Sequence, residues 1–313
     1  MFDQNTWQLM MIRPIAFSKN KETSINNYFQ VDTELKAEEV QKRVIREFDD
    51  LVQKLREVFI DVRVFEDTQD PVTPDSIFPN NWVSFHQNGS VILYPMFANN
   101  RRLERRLDLI DKLSDHFEVK KIFKNLLSFE SQQKFLEGTG SLILDRVNKI
   151  AYACYSSRTE HEVILAFEKL TAYTVIGFKA YQNQQGRRLP IYHTNVMMSI
   201  GDHFVLICAE AIDDFNERER VLESFRNQAK EIILISESQL NNFVGNMLQV
   251  KNKDNAFFLV MSTRAFQSLN VQQKVQLEKY GTLLHSNLTT IEMLGGGSAR
   301  CMIAEIFLPI KNI

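Results

Sequence analysis

Along this chain the hydrophobic positions switch between a period of two and a period close to 3.6, and the switching recurs in a fixed order. WVSFHQNGSVILY reads as two short strands around Asn88-Gly89, a pair that accepts the positive φ of a tight hairpin turn. RRLERRLDLIDKLSDHF follows with Leu103, Leu107, Ile110 and Leu113 at helical spacing, and FEVKKIF then reads as a strand. The succession returns in SLILDRVNKIAYACY, turning near Val147-Asn148, with Thr159 as the cap of a helix in TEHEVILAFEKL and TVIGF as the next strand. VMMSIGDHFVLICA, NERERVLESFRNQ and EIILIS make a third set, turning at Gly201-Asp202. MLQVKNKDNAFFLVM, SLNVQQKVQLEKY and TLLHS make a fourth, turning near Lys253-Asp254. Units spaced about 50–60 residues apart point to an array.

The two ends hold the pieces of a fifth unit. TWQLMMIRP is a strand, TELKAEEVQKRVIREFDDLVQKL a long amphipathic helix and IDVRVF a strand, while CMIAEIFLP can pair with the first of these and close a ring. The expectation is one α/β domain over residues 1–313, built from five ββαβ units with no unpaired sheet edge at the chain ends. An open mixed sheet with regular spacing is the alternative.

Composition narrows the function more than the fold. Of 313 residues 44% are hydrophobic, which excludes a disordered or collagen-like chain. Lys plus Arg (37) nearly balances Asp plus Glu (39), and the net charge of -2 argues against a general nucleic-acid binder or a basic membrane-surface protein. No stretch approaches about 18 uncharged apolar residues, and MFDQNTWQLMMIRP lacks the pattern of a signal peptide. The three cysteines, Cys154, Cys208 and Cys301, show no CxxC or Cys/His ligand spacing. A cytoplasmic protein with free thiols and without zinc is expected.

Cys154 and Cys208 lie in apolar runs, AYACY and VLICA, where a buried thiol packs as a small hydrophobe. Cys301 is set differently. It follows Leu294-Gly295-Gly296-Gly297-Ser298-Ala299-Arg300, whose glycines let the backbone approach a ligand, and it is expected to open a strand. A nucleophilic thiol needs a base or a cationic neighbour. His116, His161 and His203 fall on segments expected to be solvated, and His86 and His285 are strand residues of either role. His193, in LPIYHTNVMMS after a Gln/Asn/Gly/Arg-rich loop, is the leading candidate.

Glu137, in FLEGTGS, stands at a Gly-rich strand entry, where a carboxylate serves its turn, orients a histidine or grips a planar cation. Arg158 in YSSRTE and Arg101-Arg102 after LYPMFANN occupy corresponding places in two repeats. They suit a substrate carboxylate, or simply an exposed helix start.

Taken together, FEDTQDPVTPDSIFPNNWVSF, YPMFANNRRLERR, FLEGTGSLILD, YACYSSRT, YHTNVMMSIGDHFVLICAEAI and LGGGSARCMIAEI resemble the guanidine-modifying (pentein) superfamily of arginine deiminases, dimethylarginine dimethylaminohydrolases and amidinotransferases. The likeness is nearest to a bacterial branch associated with citrulline utilisation. It implies a five-bladed pseudo-fivefold α/β propeller with the site on its axis. It further implies Cys301 as nucleophile, His193 as general acid/base and Glu137 as the carboxylate holding substrate nitrogen or the histidine. Arg158, with Arg101 or Arg102, would bind the substrate α-carboxylate. The partner implied is a small amino-acid substrate, with no cofactor or metal, and a homo-oligomer is compatible with it.

Two departures from the pattern concern charge. Asn81 in PNNW and Asn195, two residues after His193, stand where related enzymes carry acids. A buried guanidinium needs a countercharge, whereas a neutral ureido group does not, so the expected reaction is hydrolysis of citrulline to ornithine, carbon dioxide and ammonia. Asp67, Asp70 or Asp75 could restore the charge and keep arginine or a methylarginine as substrates. Transfer of an amidino group to an amine and a non-catalytic binding propeller are the alternatives. The Thr68–Asn80 and Gln182–Pro190 loops are the expected covers of the site.

Overall fold

Residues 3–184 and 186–311 are described by a computed structural model of the chain. In it the recurring pattern becomes five three-stranded sheets of the same connectivity. In each, the first strand runs antiparallel to the second, the third runs parallel to the second, and helix fills the crossover between second and third. Unit 1 joins Ala304–Glu305 to Gln8–Arg13 and Asp61–Glu66. Unit 2 uses Val83–Phe85, Ser90–Leu93 and Lys121–Phe123; unit 3 uses Leu142–Asp145, Ile150–Cys154 and Thr174–Phe178. Unit 4 uses Met198–Ile200, Phe204–Ile207 and Glu231–Leu234; unit 5 uses Leu248–Lys251, Phe257–Ser262 and Thr282–Ser286.

The expected pairing of the two chain ends is present, with Leu9 opposite Glu305 and Met10 opposite Ala304. First strands also touch across units: unit 1 against unit 2, unit 3 against unit 4, and unit 4 against unit 5. Second strands such as VLI in unit 4 are buried throughout, so these short sheets are covered on both faces. The crossover helix Ala37–Glu57 shows how: Val40, Val44, Phe48, Leu51 and Leu55 form one buried stripe, and the charged residues face water except Glu47, which is buried and accepts the N–H groups of Thr290 and Ile291.

Several boundaries differ from the periodicity. The helix expected from Leu103 runs only over Leu107–Ser114, and Leu103 is exposed on a 3-10 turn, Asn100–Glu104. There the inward-facing residues are Arg101 and Glu104, a polar pair that an apolar count cannot register. Thr159 does not cap the helix His161–Leu170; its hydroxyl donates to Ser141 Oγ, and the backbone of Glu160 occupies the cap. Thr263–Ser268 and Val271–Glu278 replace the single helix expected in unit 5, divided at Asn270, which caps the second. Cys301 lies in a turn closed by its own N–H to Ser298 O (2.9 Å), ahead of the strand rather than opening it. Among the described residues no helix is long and apolar enough to cross a membrane.

Candidate active site

Just ahead of its first strand, each unit makes a short turn, and these five turns converge. Pro79–Asn81 precedes the first strand of unit 2, Gly138–Ser141 that of unit 3 and Thr194–Val196 that of unit 4. Residues 243–247 and 298–302 do the same for units 5 and 1. Asn81, His193 and Cys301 thereby line one pocket with Asp75, Arg158 and Tyr192. Glu137 lies behind His193, and Asn195 behind Cys301.

Glu137 is fully buried and is approached by four groups: His193 Nε2 at 2.8 Å, the N–H of Phe97 at 2.9 Å, Arg158 Nη1 at 3.5 Å and Arg101 Nη1 at 4.0 Å. Burial alone would raise its pKa, but the Arg158 charge and the His193 hydrogen bond outweigh that and hold the carboxyl below the usual range. Of the two roles expected for Glu137, it fills that of holding the histidine. Burial keeps the His193 imidazole below its ordinary pKa against the pull of Glu137, so it is neutral near pH 7. A carboxylate only accepts, so it fixes the proton on Nε2 and leaves the lone pair on Nδ1.

Cys301 Sγ receives two amide donors, Asn195 Nδ2 and Asn246 Nδ2, each at 3.2 Å. The other thiols match their expected role as core. Both are buried, and burial pushes each up to about 12, where no thiolate forms near neutrality. His116, His161 and His203 are exposed as expected.

The three arginines part company. Arg158 is buried in the pocket, stacked 4.9 Å from the Tyr192 ring, and donates to Asn26 Oδ1 and Thr23 O. Arg101 lines the pocket too, but its guanidinium is already engaged: Nε and Nη2 grip Glu104 at 2.9 Å, Nη1 donates to Asn81 Oδ1 at 2.7 Å and Nη2 to Phe78 O at 3.2 Å. Arg101 therefore faces the pocket as expected and also orients Asn81. Arg102 does not reach the pocket; it donates to Met96 O and lies over the Phe135 ring. Side chains of adjacent residues leave the 3-10 turn on different sides, so only one of the pair can face inward.

Because Arg101 donates to it, Asn81 Oδ1 is an oxygen, and Nδ2 is the atom left over. That Nδ2 is buried without a partner, as are Asn195 Oδ1 and Asp75 Oδ1. One free donor and two free acceptors thus stand at or beside a buried pocket, where unmet hydrogen bonds are costly unless a ligand meets them.

The cover of the site is not the one expected. Residues 20–30 close it: Asn20 Nδ2 and Thr23 Oγ1 donate to Asp75 Oδ2 at 2.8 and 3.1 Å, Asn26 takes Arg158, and Asn27 and Gln30 donate to Gly295 O. The Thr68–Asn80 loop contributes walls, Asp75 and Phe78, while the Gln182–Pro190 loop is a hairpin of Tyr181–Gln184 with Arg187–Pro190. Closed in this way the pocket leaves about 10 Å³ for the centre of a water molecule, room for roughly one water.

Gly140 holds the arrangement together. A Cβ there would stand 2.4 Å from Asn81 Nδ2 and 2.8 Å from His193 Nδ1. Gly140→Ala is expected to lower kcat/KM by about 100-fold, the scale of an ångström misplacement of reacting groups, while leaving the circular dichroism spectrum unchanged. A folded variant with wild-type kinetics would show that this packing is irrelevant.

Comparison with known proteins bears on this geometry. The model of the family described as N,N dimethylarginine dimethylhydrolase, eukaryotic, matches residues 13–308. No curated protein matches the sequence significantly. Among solved structures, apo ArgZ, an arginine dihydrolase from the ornithine-ammonia cycle in cyanobacteria, superposes with a TM-score of 0.73 at 17% identity. That match covers 97% of this chain but only 41% of ArgZ. The N-terminal domain of ArgZ bound to substrate matches at 0.69 and 18% identity, covering 97% of this chain and 99% of the domain. A dimethylarginine dimethylaminohydrolase adduct with S-methyl-L-thiocitrulline matches at 0.61 and 13%, covering 98% and 100%. At these identities the structural likeness shows a shared mixed α/β fold.

Proposed function

The chain belongs to this dimethylarginine dimethylhydrolase family of the guanidine-modifying (pentein) superfamily, and on that premise we propose that it hydrolyses a C–N bond in the ureido group of citrulline through a covalent Cys301 intermediate. The observation carrying the substrate is the pair of unmet amide atoms, Asn81 Nδ2 and Asn195 Oδ1. A ureido group presents one carbonyl oxygen and N–H donors, the complement of that pair. A guanidinium presents donors only and would leave Asn81 Nδ2 facing N–H.

In this reading the Arg158 guanidinium takes the α-carboxylate and Asp75 the α-ammonium, both released as residues 20–30 withdraw. The Cys301 sulfur, its proton passed to His193 Nδ1, attacks the trigonal ureido carbon. Electron density moves to the carbonyl oxygen, where Asn81 donates. Collapse expels ammonia, protonated by His193, and leaves the carbon bound to sulfur. His193 then takes a proton from water, hydroxide adds, and the C–S bond breaks to return the thiolate. The carbamate product loses carbon dioxide and yields ornithine, so citrulline and one water balance ornithine, ammonia and carbon dioxide.

A second reading has its own observation. Asp75 Oδ1 is a buried, unpartnered carboxylate oxygen on the pocket wall, able to compensate a guanidinium and keep arginine or a methylarginine as substrate. The five converging turns also support a five-bladed α/β propeller formed by the chain as one domain, and its free thiols suit the cytoplasm. The test is a substrate series of citrulline, arginine and dimethylarginine with ammonia, ornithine and citrulline assayed. Ornithine from citrulline is expected. Citrulline from arginine, with citrulline itself inert, would overturn the first reading in favour of the second.

A further inference from the structure

We infer that Asn246 is a positioning residue for the nucleophile: with Asn195 it forms a pair of neutral amide donors that seats the Cys301 sulfur. The inference rests on the reading of Cys301 as the nucleophile. Both Nδ2 atoms stand 3.2 Å from Sγ. A neutral thiol is a weak acceptor and gains little from two donors, whereas a thiolate is a strong one and gains much. Two donors on one sulfur therefore hold it in place most firmly when it carries negative charge, as it does on attacking and on leaving carbon.

The orientation of the Asn246 amide is fixed independently of the sulfur. Its Oδ1 accepts the N–H of Arg300 at 3.1 Å, a contact only oxygen can make. Its Nδ2 then spends one hydrogen on Asn195 O at 3.0 Å and points the other at Sγ. The residue is 1% exposed, so water does not compete for it. Gly245 permits the approach, since a Cβ there would meet Val196 O at 2.3 Å. The turns of units 4, 5 and 1 are thus tied at one point: Asn246 binds the backbones beside both Asn195 and Cys301. Being uncharged, the pair neither neutralises a substrate nor accepts the sulfur's proton.

Alkylation of the full-length protein by iodoacetamide, with the modified peptide identified by mass spectrometry, tests this. Asn246→Ala is expected to slow modification of Cys301 about tenfold at neutral pH, the scale of one hydrogen bond to a charged acceptor. Asn246→Asp keeps the shape and the acceptor for Arg300 N–H but turns an oxygen on the sulfur, and is expected to slow it further. In both variants kcat should fall with little change in KM. Unchanged rates at neutral pH in both variants would overturn the inference. So would slower alkylation with kcat intact and KM raised, which signals altered access rather than a displaced sulfur. Turnover surviving Cys301→Ala would instead remove the nucleophile reading and leave the alkylation result intact.

Discussion

Cys301→Ala is expected to abolish turnover, lowering kcat by at least about 10⁴-fold, because no other nucleophile in the pocket can form the covalent intermediate. The pocket's remaining polar side chains are two amides, two arginines, Asp75, the Tyr192 hydroxyl, which donates to Gly296 O, and the His193 imidazole, which is held by Glu137. Cys154→Ala and Cys208→Ala are the contrast. Both thiols are fully buried in the core cluster that includes Phe178, Val205 and Leu206. Their loss should cost about 1 kcal/mol in thermal unfolding and leave kcat within about twofold. Mass spectrometry of protein quenched during turnover should find an adduct on the peptide holding Cys301. Full activity in Cys301→Ala would end the mechanism, whereas inactivity in the other two would reassign the nucleophile.

Asn81→Asp should exchange the substrate preference. Arg101 Nη1 can still donate to one oxygen, so the side chain keeps its place, and the free atom in the pocket changes from a donor to a charged acceptor. The ureido oxygen would then face a carboxylate instead of an N–H. Losing one such donor costs about 10²–10³-fold in rate, so kcat/KM for citrulline should fall by that much. A guanidinium gains what the ureido group loses, and kcat/KM for arginine should rise. The readout is the ratio of the two, which cancels general damage to the enzyme. A ratio within about twofold of wild type would mean that Asn81 does not sense substrate charge.

Some of this site was legible from residues alone, and the physical reasons differ. Cys301 after its glycines and His193 at a strand start stand out by setting, while Glu137 keeps a turn role as an equal reading. The three roles come only from the resemblance of their motifs to the guanidine-modifying superfamily. Arg101 and Arg102 are equivalent on that measure. Only the bidentate grip of Glu104, three residues on, shows which one turns inward and that its charge is already spoken for. Residues 20–30 carry no periodicity, because they close the pocket by polar contacts to Asp75, Arg158 and Gly295 rather than by an apolar face. Asn246 lacks any motif, yet a signal existed in its position just before the first strand of unit 5. Asn81, Asn195 and Cys301 hold corresponding positions in their own units.

That correspondence has a consequence for how the enzyme comes into being. Three units place an asparagine at this address, one a glycine and one the cysteine, so the pocket is complete only when turns from all five have met. Chain order brings Asn81 first and Cys301 last, and the strand behind Cys301 finds its partner near the opposite end of the chain. During synthesis Glu137 and His193 therefore emerge before Cys301, the proposed nucleophile, whose turn is set in place as Ala304–Glu305 pairs with Gln8–Arg13. Catalysis and completion of the fold become one observable: the appearance of turnover in a refolding experiment reports that joining more sharply than helix content does.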